Sequence, residues 1–193
     1  MTLDLARALH VVIDMQRLFA EHQDWAVKDV GRIRKEVQWL AERMPTRTCW
    51  TRFIPAESAA AAKGSWRRYY EAWPRATLAG GGRDFVDLLP EYRALADTVF
   101  DKPGFSAFSS DSFHPALQSA GIDTLILSGV ETDVCVWATA LDAVDAGLFV
   151  VLAADAVTSF SQEAHRAMLD LIAPRFAPQV VLMTHAELEA AWK

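Results

Sequence analysis

The sequence predicts an α/β protein: a three-layer α/β/α sandwich built around a mostly parallel sheet of about six strands. Strand-like apolar runs alternate with helical stretches along the chain, and such alternation requires crossover connections and therefore parallel pairing. The first run, Leu9-His10-Val11-Val12-Ile13, is apolar and β-branched at nearly consecutive positions, the pattern of a strand covered on both faces. With 52% hydrophobic residues among 193, the chain can bury the core of one domain, expected to span residues 1–193.

The elements follow in order. After the first strand, which ends at Asp14, Val27 to Met44 carries Val30, Ile33, Val37, Leu40 and Ala41 on one stripe and is closed by Pro45, which predicts an amphipathic helix. Arg47 to Phe53 predicts a second strand. From Ile54 to Arg83 the periodicity dissolves into alanines, prolines, aromatics and the triplet Gly80 to Gly82. This stretch is expected to be a long loop acting as a lid or subunit interface, with the triplet as a hinge. Thr98 to Phe100 predicts a third strand, Asp111 to Ala120 a helix, and Thr124 to Ser128 a fourth strand. A helix from Asp133 to Ala146 ends at Gly147. Leu148 to Leu152, Gln162 to Ile172, Val180 to Met183 and Ala186 to Trp192 then predict strand, helix, strand and helix.

Bulk properties exclude several classes. A net charge of -6 without a run of Lys or Arg argues against nucleic acid as a partner and for a small molecule. No apolar run approaches the roughly 20 residues that span a bilayer, so no membrane partner is expected. The opening Met1-Thr2-Leu3-Asp4 lacks the pattern of a leader, and the chain has two cysteines, Cys49 and Cys135. Both observations point to a reduced, cytoplasmic setting. Neither GxGxxG nor GxxxxGK[ST] follows a strand, which removes support for nucleotide binding.

The chemistry concentrates at strand ends, where open parallel sheets bind their ligands. Asp14 closes the first strand, Lys102 follows the third, and Cys135 stands at the start of the helix after the fourth. A cysteine at a helix start is placed to have its thiol pKa lowered, to about 3.5–7.5 in strongly electropositive sites. A carboxylate, an ammonium and a thiol converging at one edge meet the needs of covalent catalysis. Each residue alone has a plain structural alternative: Asp14 as a capping acid, Lys102 as a solvated lysine, Cys135 as a small buried hydrophobe. Cys49, inside a strand between Thr48 and Trp50, belongs to the core.

These residues resemble those of the isochorismatase-like cysteine hydrolases, which include nicotinamidases, N-carbamoylsarcosine amidase, ureidoacrylate hydrolase and biuret hydrolase. The resemblance runs from about Leu9 to Leu182. It rests on Gly129-Val130-Glu131-Thr132-Asp133-Val134-Cys135-Val136, on Thr139 to Ala143, on Ile13-Asp14-Met15-Gln16, and on Lys102-Pro103-Gly104-Phe105-Ser106-Ala107-Phe108. It implies a Rossmann-like sheet, an Asp14, Lys102, Cys135 triad, and a cis peptide between Val130 and Glu131. It also implies an oxyanion hole formed by the backbone N–H groups of Glu131 and Cys135, and a homodimer or homotetramer. The implied activity is hydrolysis of a non-peptide carbon–nitrogen bond through a thioester, with no cofactor.

Two departures narrow the expectation. Nicotinamidases of this family place metal-binding Asp and His residues after the second strand, whereas this chain reads Thr51-Arg52-Phe53-Ile54-Pro55-Ala56-Glu57, with no histidine between His22 and His114. No metal is therefore expected. Isochorismatases proper cleave a vinyl ether with the Asp and Lys and generally lack the cysteine that stands here at Cys135. That chemistry remains an alternative, as does a binding or redox-responsive protein with a reactive thiol. For the substrate pocket, Arg52 and the loop residues Trp66, Arg67, Arg68, Tyr69, Tyr70 and Trp73 predict a planar or carboxylated amide, with Phe19, Phe108 and Trp137, beside triad residues, as further wall candidates. The same Arg-rich and Trp-rich stretch also fits a subunit interface. His114 and His165 are expected to be structural or solvated.

Overall fold

The computed structural model describes Asp4 and residues 6–192; the opening Met1-Thr2-Leu3 stretch lies outside the described residues. Six strands form one sheet in the order β3-β2-β1-β4-β5-β6, with every pair parallel. They are β1 (Ala8–Ile13), β2 (Thr48–Phe53), β3 (Val99–Lys102), β4 (Thr124–Val130), β5 (Phe149–Thr158) and β6 (Val180–Met183). The helices are α1 (Leu18–Glu21), α2 (Val30–Arg43), α3 (Ser65–Ala72), α4 (Phe113–Ser119), α5 (Trp137–Asp145), α6 (Gln162–Ala167) and α7 (His185–Ala191).

Alternation along the strands builds two cores. Val12, Trp50, Ile126 and Val151 face α2 and α7, where Val30, Ile33, Val37, Leu40 and Leu188 complete one layer. Val11, Ile13, Leu125, Leu127, Val150 and Leu152 face the other way, onto Phe113, Leu117, Ala140 and Ala143 from α4 and α5. Successive side chains of a strand point to opposite faces, so a strand apolar at every position serves both layers at once.

Several elements differ from the sequence expectation, among them α1, which it does not contain, and the helices expected over Asp133–Ala146 and Gln162–Ile172, each of which is partly a π turn. Residues 54–83 are not irregular: α3 occupies their centre, followed by short 3-10 turns at Pro74–Ala76 and Gly82–Phe85. Only two turns of helix form there, too short to show a clear apolar period among surrounding alanines. The glycine triplet is packed rather than open, since a Cβ on Gly80 would lie 1.9 Å from the Pro74 carbonyl oxygen. β5 runs six residues past its expected end, and Lys102 is the last residue of β3 rather than the residue after it.

Candidate active site

The strand order reverses between β1 and β4, and the crevice outside the carboxyl ends at that point is where such sheets bind ligands. Asp14 follows β1 with φ at 51°, a left-handed conformation that aspartate tolerates better than most residues. The Thr51 hydroxyl, from β2, accepts from the Asp14 N–H at 3.2 Å and donates to Asp14 Oδ1 at 2.7 Å. The other carboxylate oxygen, Oδ2, lies 2.7 Å from Lys102 Nζ, and both side chains are 0% exposed. Lys102 Nζ also donates to the carbonyls of Gly104 and Phe105, at 3.0 and 2.7 Å.

The third group arrives from β4. Gly129 has φ at 105°, and a Cβ there would meet the Ile13 carbonyl oxygen at 2.1 Å, so only glycine lets β4 run this close to β1. The following Val130–Glu131 peptide is cis. A wide π turn over Thr132–Val136 then presents Cys135 before α5 begins. The Cys135 thiol faces both Lys102 and Asp14. Two hydroxyls brace this turn. Thr132 Oγ1 is 2.8 Å from His165 Nδ1. Thr139 donates to the Cys135 carbonyl at 2.8 Å while accepting from the Ala107 N–H at 3.0 Å, which ties the segment after Lys102 to the cysteine's own helix.

The electrostatics run against a freely ionised thiol. Burial is the largest influence on Cys135 and pushes its pKa up; Lys102 pulls it down, and Asp14 pushes it up again. For Lys102 burial opposes the charge, but the neighbouring Asp14 carboxylate and Cys135 outweigh it and hold the pKa above the ordinary lysine value. The expectation of a lowered thiol pKa is thus corrected: the helix start is present, but the site is dry, and desolvation of the thiolate prevails. The Cys135 thiol sits beside the buried Asp14–Lys102 pair. Because the pKa is raised, thiolate is scarce at neutral pH and gains population only as pH climbs. Alkylation of the free protein by iodoacetamide is therefore expected to keep accelerating through about pH 9, rather than levelling off near neutrality as a thiol of about pKa 7 would. Cys49, which is buried in the core and has a pKa raised by that burial, stays unlabelled.

Cys135 opens into a cavity of about 430 Å³ lined by Phe19, Asp24, Trp25, Phe53, Tyr69, Trp73, Phe105, Glu131, Val134 and Phe160. Of the pocket residues expected from sequence, Phe19, Tyr69 and Trp73 line it. Arg52 does not: its guanidinium pairs bidentately with Asp101 at 2.7 and 2.9 Å, across the β2–β3 register. Trp66 and Tyr70 stack on each other at 5.7 Å and line a neighbouring cavity beside Gly104. Phe108 packs edge-on against Phe113 at 5.2 Å, and Trp137 against Phe176 at 5.0 Å. His165 holds Thr132, and His114 packs on Phe108.

The residues that sequence reasoning missed are Thr51, Gln16 and most of the wall. Thr51 sits next to Arg52 on the same strand, so period two sends it to the opposite face, toward Asp14. Arg52 drew attention by its charge. Gln16 is part of the quoted Ile13 to Gln16 segment; its amide accepts from the Phe53 N–H at 2.7 Å and donates to the Phe53 carbonyl at 3.0 Å. That clamp fixes Phe53 as a wall of the cavity. Among the described residues no three His, Cys, Asp or Glu side chains are grouped so that they could hold a metal ion. The residues present do not fit a metal held by such side chains.

An all-parallel α/β/α sheet with a carboxylate, an ammonium and a thiol gathered at its switch point defines a hydrolase scaffold. The chain belongs to the isochorismatase family, whose domain matches residues 8–186. It is 31% identical over 179 residues to the phenazine biosynthesis protein PhzD of Pseudomonas fluorescens, covering 91% of this chain and 83% of that one. It is 35% identical over 108 residues to the ureidoacrylate amidohydrolase RutB of Pseudomonas syringae pv. syringae, a match covering 54% of this chain and 38% of the relative. A solved cysteine hydrolase from Pseudomonas syringae pv. phaseolicola 1448A superposes with a TM-score of 0.78 at 24% identity, over 100% of this chain and 97% of that one. The family includes hydrolases of amide carbon–nitrogen bonds. Among the described residues no helix is long and apolar enough to cross a membrane.

Proposed function

We propose that the protein is a metal-independent cysteine amidohydrolase that cleaves a carbon–nitrogen bond of a small amide, carbamoyl or ureido compound. The observation that carries this reading is the buried Asp14–Lys102 ion pair at 2.7 Å with the Cys135 thiol facing both, at the floor of a cavity sized for a small molecule. Asp14 takes the Cys135 proton as sulfur bonds to the carbonyl carbon. The oxyanion that forms is held by the N–H groups of Glu131 and Cys135, where loss of one donor typically costs about 2.7–4 kcal/mol of barrier. Collapse breaks the carbon–nitrogen bond; Asp14 returns the proton to the departing ammonia or amine. Water then attacks the thioester, giving its proton to Asp14, and the acid product leaves as the thiol is restored. Lys102 keeps its charge throughout and orients Asp14, while its carbonyl contacts fix the ammonium in place.

A desolvated base is needed for this cycle, since a thiol with a raised pKa yields its proton only to a group held beside it. Burial of both members of the ion pair supports that role. The isochorismatase domain matched over residues 8–186 favours a second reading, a vinyl-ether hydrolase working through Asp14 and Lys102. The two part at the cysteine, which vinyl-ether cleavage does not use. Ammonia release from a panel of small amides, carbamoyl and ureido compounds, run with EDTA and beside Cys135→Ala, tests the choice. Release that survives EDTA and vanishes in the variant is the expected result. Isochorismate cleavage that persists after alkylation of Cys135 would overturn it.

A further inference from the structure

We propose that the cavity above Cys135 selects flat aromatic amides that carry a positive charge and rejects carboxylated ones. The proposal rests on the amidohydrolase reading and supplies its substrate class. It starts from the charges that meet the cavity. Its floor is neutral overall, because Asp14 and Lys102 cancel each other and Lys102 is 0% exposed. No lysine or arginine lines its wall. Arg52, the cation that a carboxylated substrate would need, is spent on Asp101. Two carboxylates do line it. Asp24 is matched by Arg75, whose Nε donates to it at 2.9 Å. Glu131 accepts from the Phe160 N–H at 2.8 Å and shares the Ser159 hydroxyl with the neighbouring Asp133; burial and Asp133 push its pKa up, and none of the ion pairs among the described residues includes it.

The rest of the wall is aromatic. Trp25 lies with its ring centroid 5.9 Å from Phe53 and 6.0 Å from Tyr69, so three rings turn toward one space. Aromatic faces carry negative quadrupoles and attract a desolvated cation, and they also stack on a flat ring of any charge. A carboxylate in the same space would face ring faces and the Glu131 carboxylate with no cation to pair it, only neutral donors such as the Tyr69 hydroxyl and the Trp25 and Trp73 indole N–H groups, which offset its desolvation less than an ion pair would. The amide end of such a ligand reaches Cys135, and the charged end meets Trp25 and Glu131.

Three meta-substituted compounds of nearly equal shape separate charge from size: 1-methylnicotinamide (cation), 3-methylbenzamide (neutral) and 3-carbamoylbenzoate (anion). Dissociation constants are read from tryptophan fluorescence in Cys135→Ala protein, which holds ligand without turnover, and kcat/KM from ammonia release in the native protein. The expected order places the cation about tenfold tighter than the neutral compound and the anion about tenfold weaker or more. Glu131→Gln is expected to shrink the gap between cation and neutral compound to about threefold or less. Binding of 3-carbamoylbenzoate as tight as that of 3-methylbenzamide, or no advantage for the cation, would overturn the proposal even if all three are hydrolysed. The expected binding order without ammonia release from any of the three would support the selectivity while telling against the amidohydrolase reading.

Discussion

Replacing Cys135 by serine is expected to lower amide turnover by a factor of about 10³ or more, with thermal unfolding shifted by only a few degrees. The serine hydroxyl is a much weaker acid than the thiol, and a base built to draw a proton from sulfur is not matched to draw one from oxygen. The fold should survive because serine is nearly isosteric with cysteine and the side chain borders the cavity at the edge of the core. Steady-state ammonia release together with a calorimetric scan checks both halves. Turnover retained within tenfold would rule out a covalent role for sulfur and leave Asp14 and Lys102 as the working pair.

Lys102→Met is expected to be the most damaging single change to stability, costing about 3–5 kcal/mol in urea unfolding, and to remove turnover as well. The reason is the partner left behind: Asp14 is 0% exposed, and without Lys102 Nζ at 2.7 Å its second oxygen has no counter-charge. The carbonyls of Gly104 and Phe105 would lose their donor too. The double variant Asp14→Asn/Lys102→Met removes both charges. It is expected to regain much of the lost stability and none of the activity, since a buried ion pair can be replaced by neutral groups at little net cost. If the double variant were no more stable than the single one, stranded charge would not be the cause.

The layered fold was legible because both signals that define it are written locally. Residues 9–13 are apolar without alternation, and α2 shows its stripe at Val30, Ile33, Val37, Leu40 and Ala41, all of which are buried. α3 was not legible: eight residues among alanines give too short a window for a period to emerge. For the candidate site, the three reactive residues stood out because their types are rare at strand ends and because the resemblance covers them. The wall stood out only in part: the loop aromatics Tyr69 and Trp73 line the cavity, but Trp25, Phe53 and Phe105 come from separate segments, and nothing in their local spacing says that they share a space. Arg52 shows the converse failure. Its charge singled it out, but the register that sets it beside Asp101 is a tertiary fact. Likewise the direction of the Cys135 pKa follows from how much of the chain closes over it, which no neighbouring residue announces.

The sheet order has a consequence for how activity is gained. Asp14, Lys102 and Cys135 are far apart in the chain and meet only when β3 has docked on β2 and β4 on β1. Both are contacts of high sequence separation, the kind formed late and at an entropic cost when a chain collapses. No fragment holding one or two of these strands contains the assembled chemistry. In a refolding experiment on the proposed amidohydrolase, recovered ammonia release is therefore expected to count molecules whose sheet is already closed across its centre, and not to run ahead of that event.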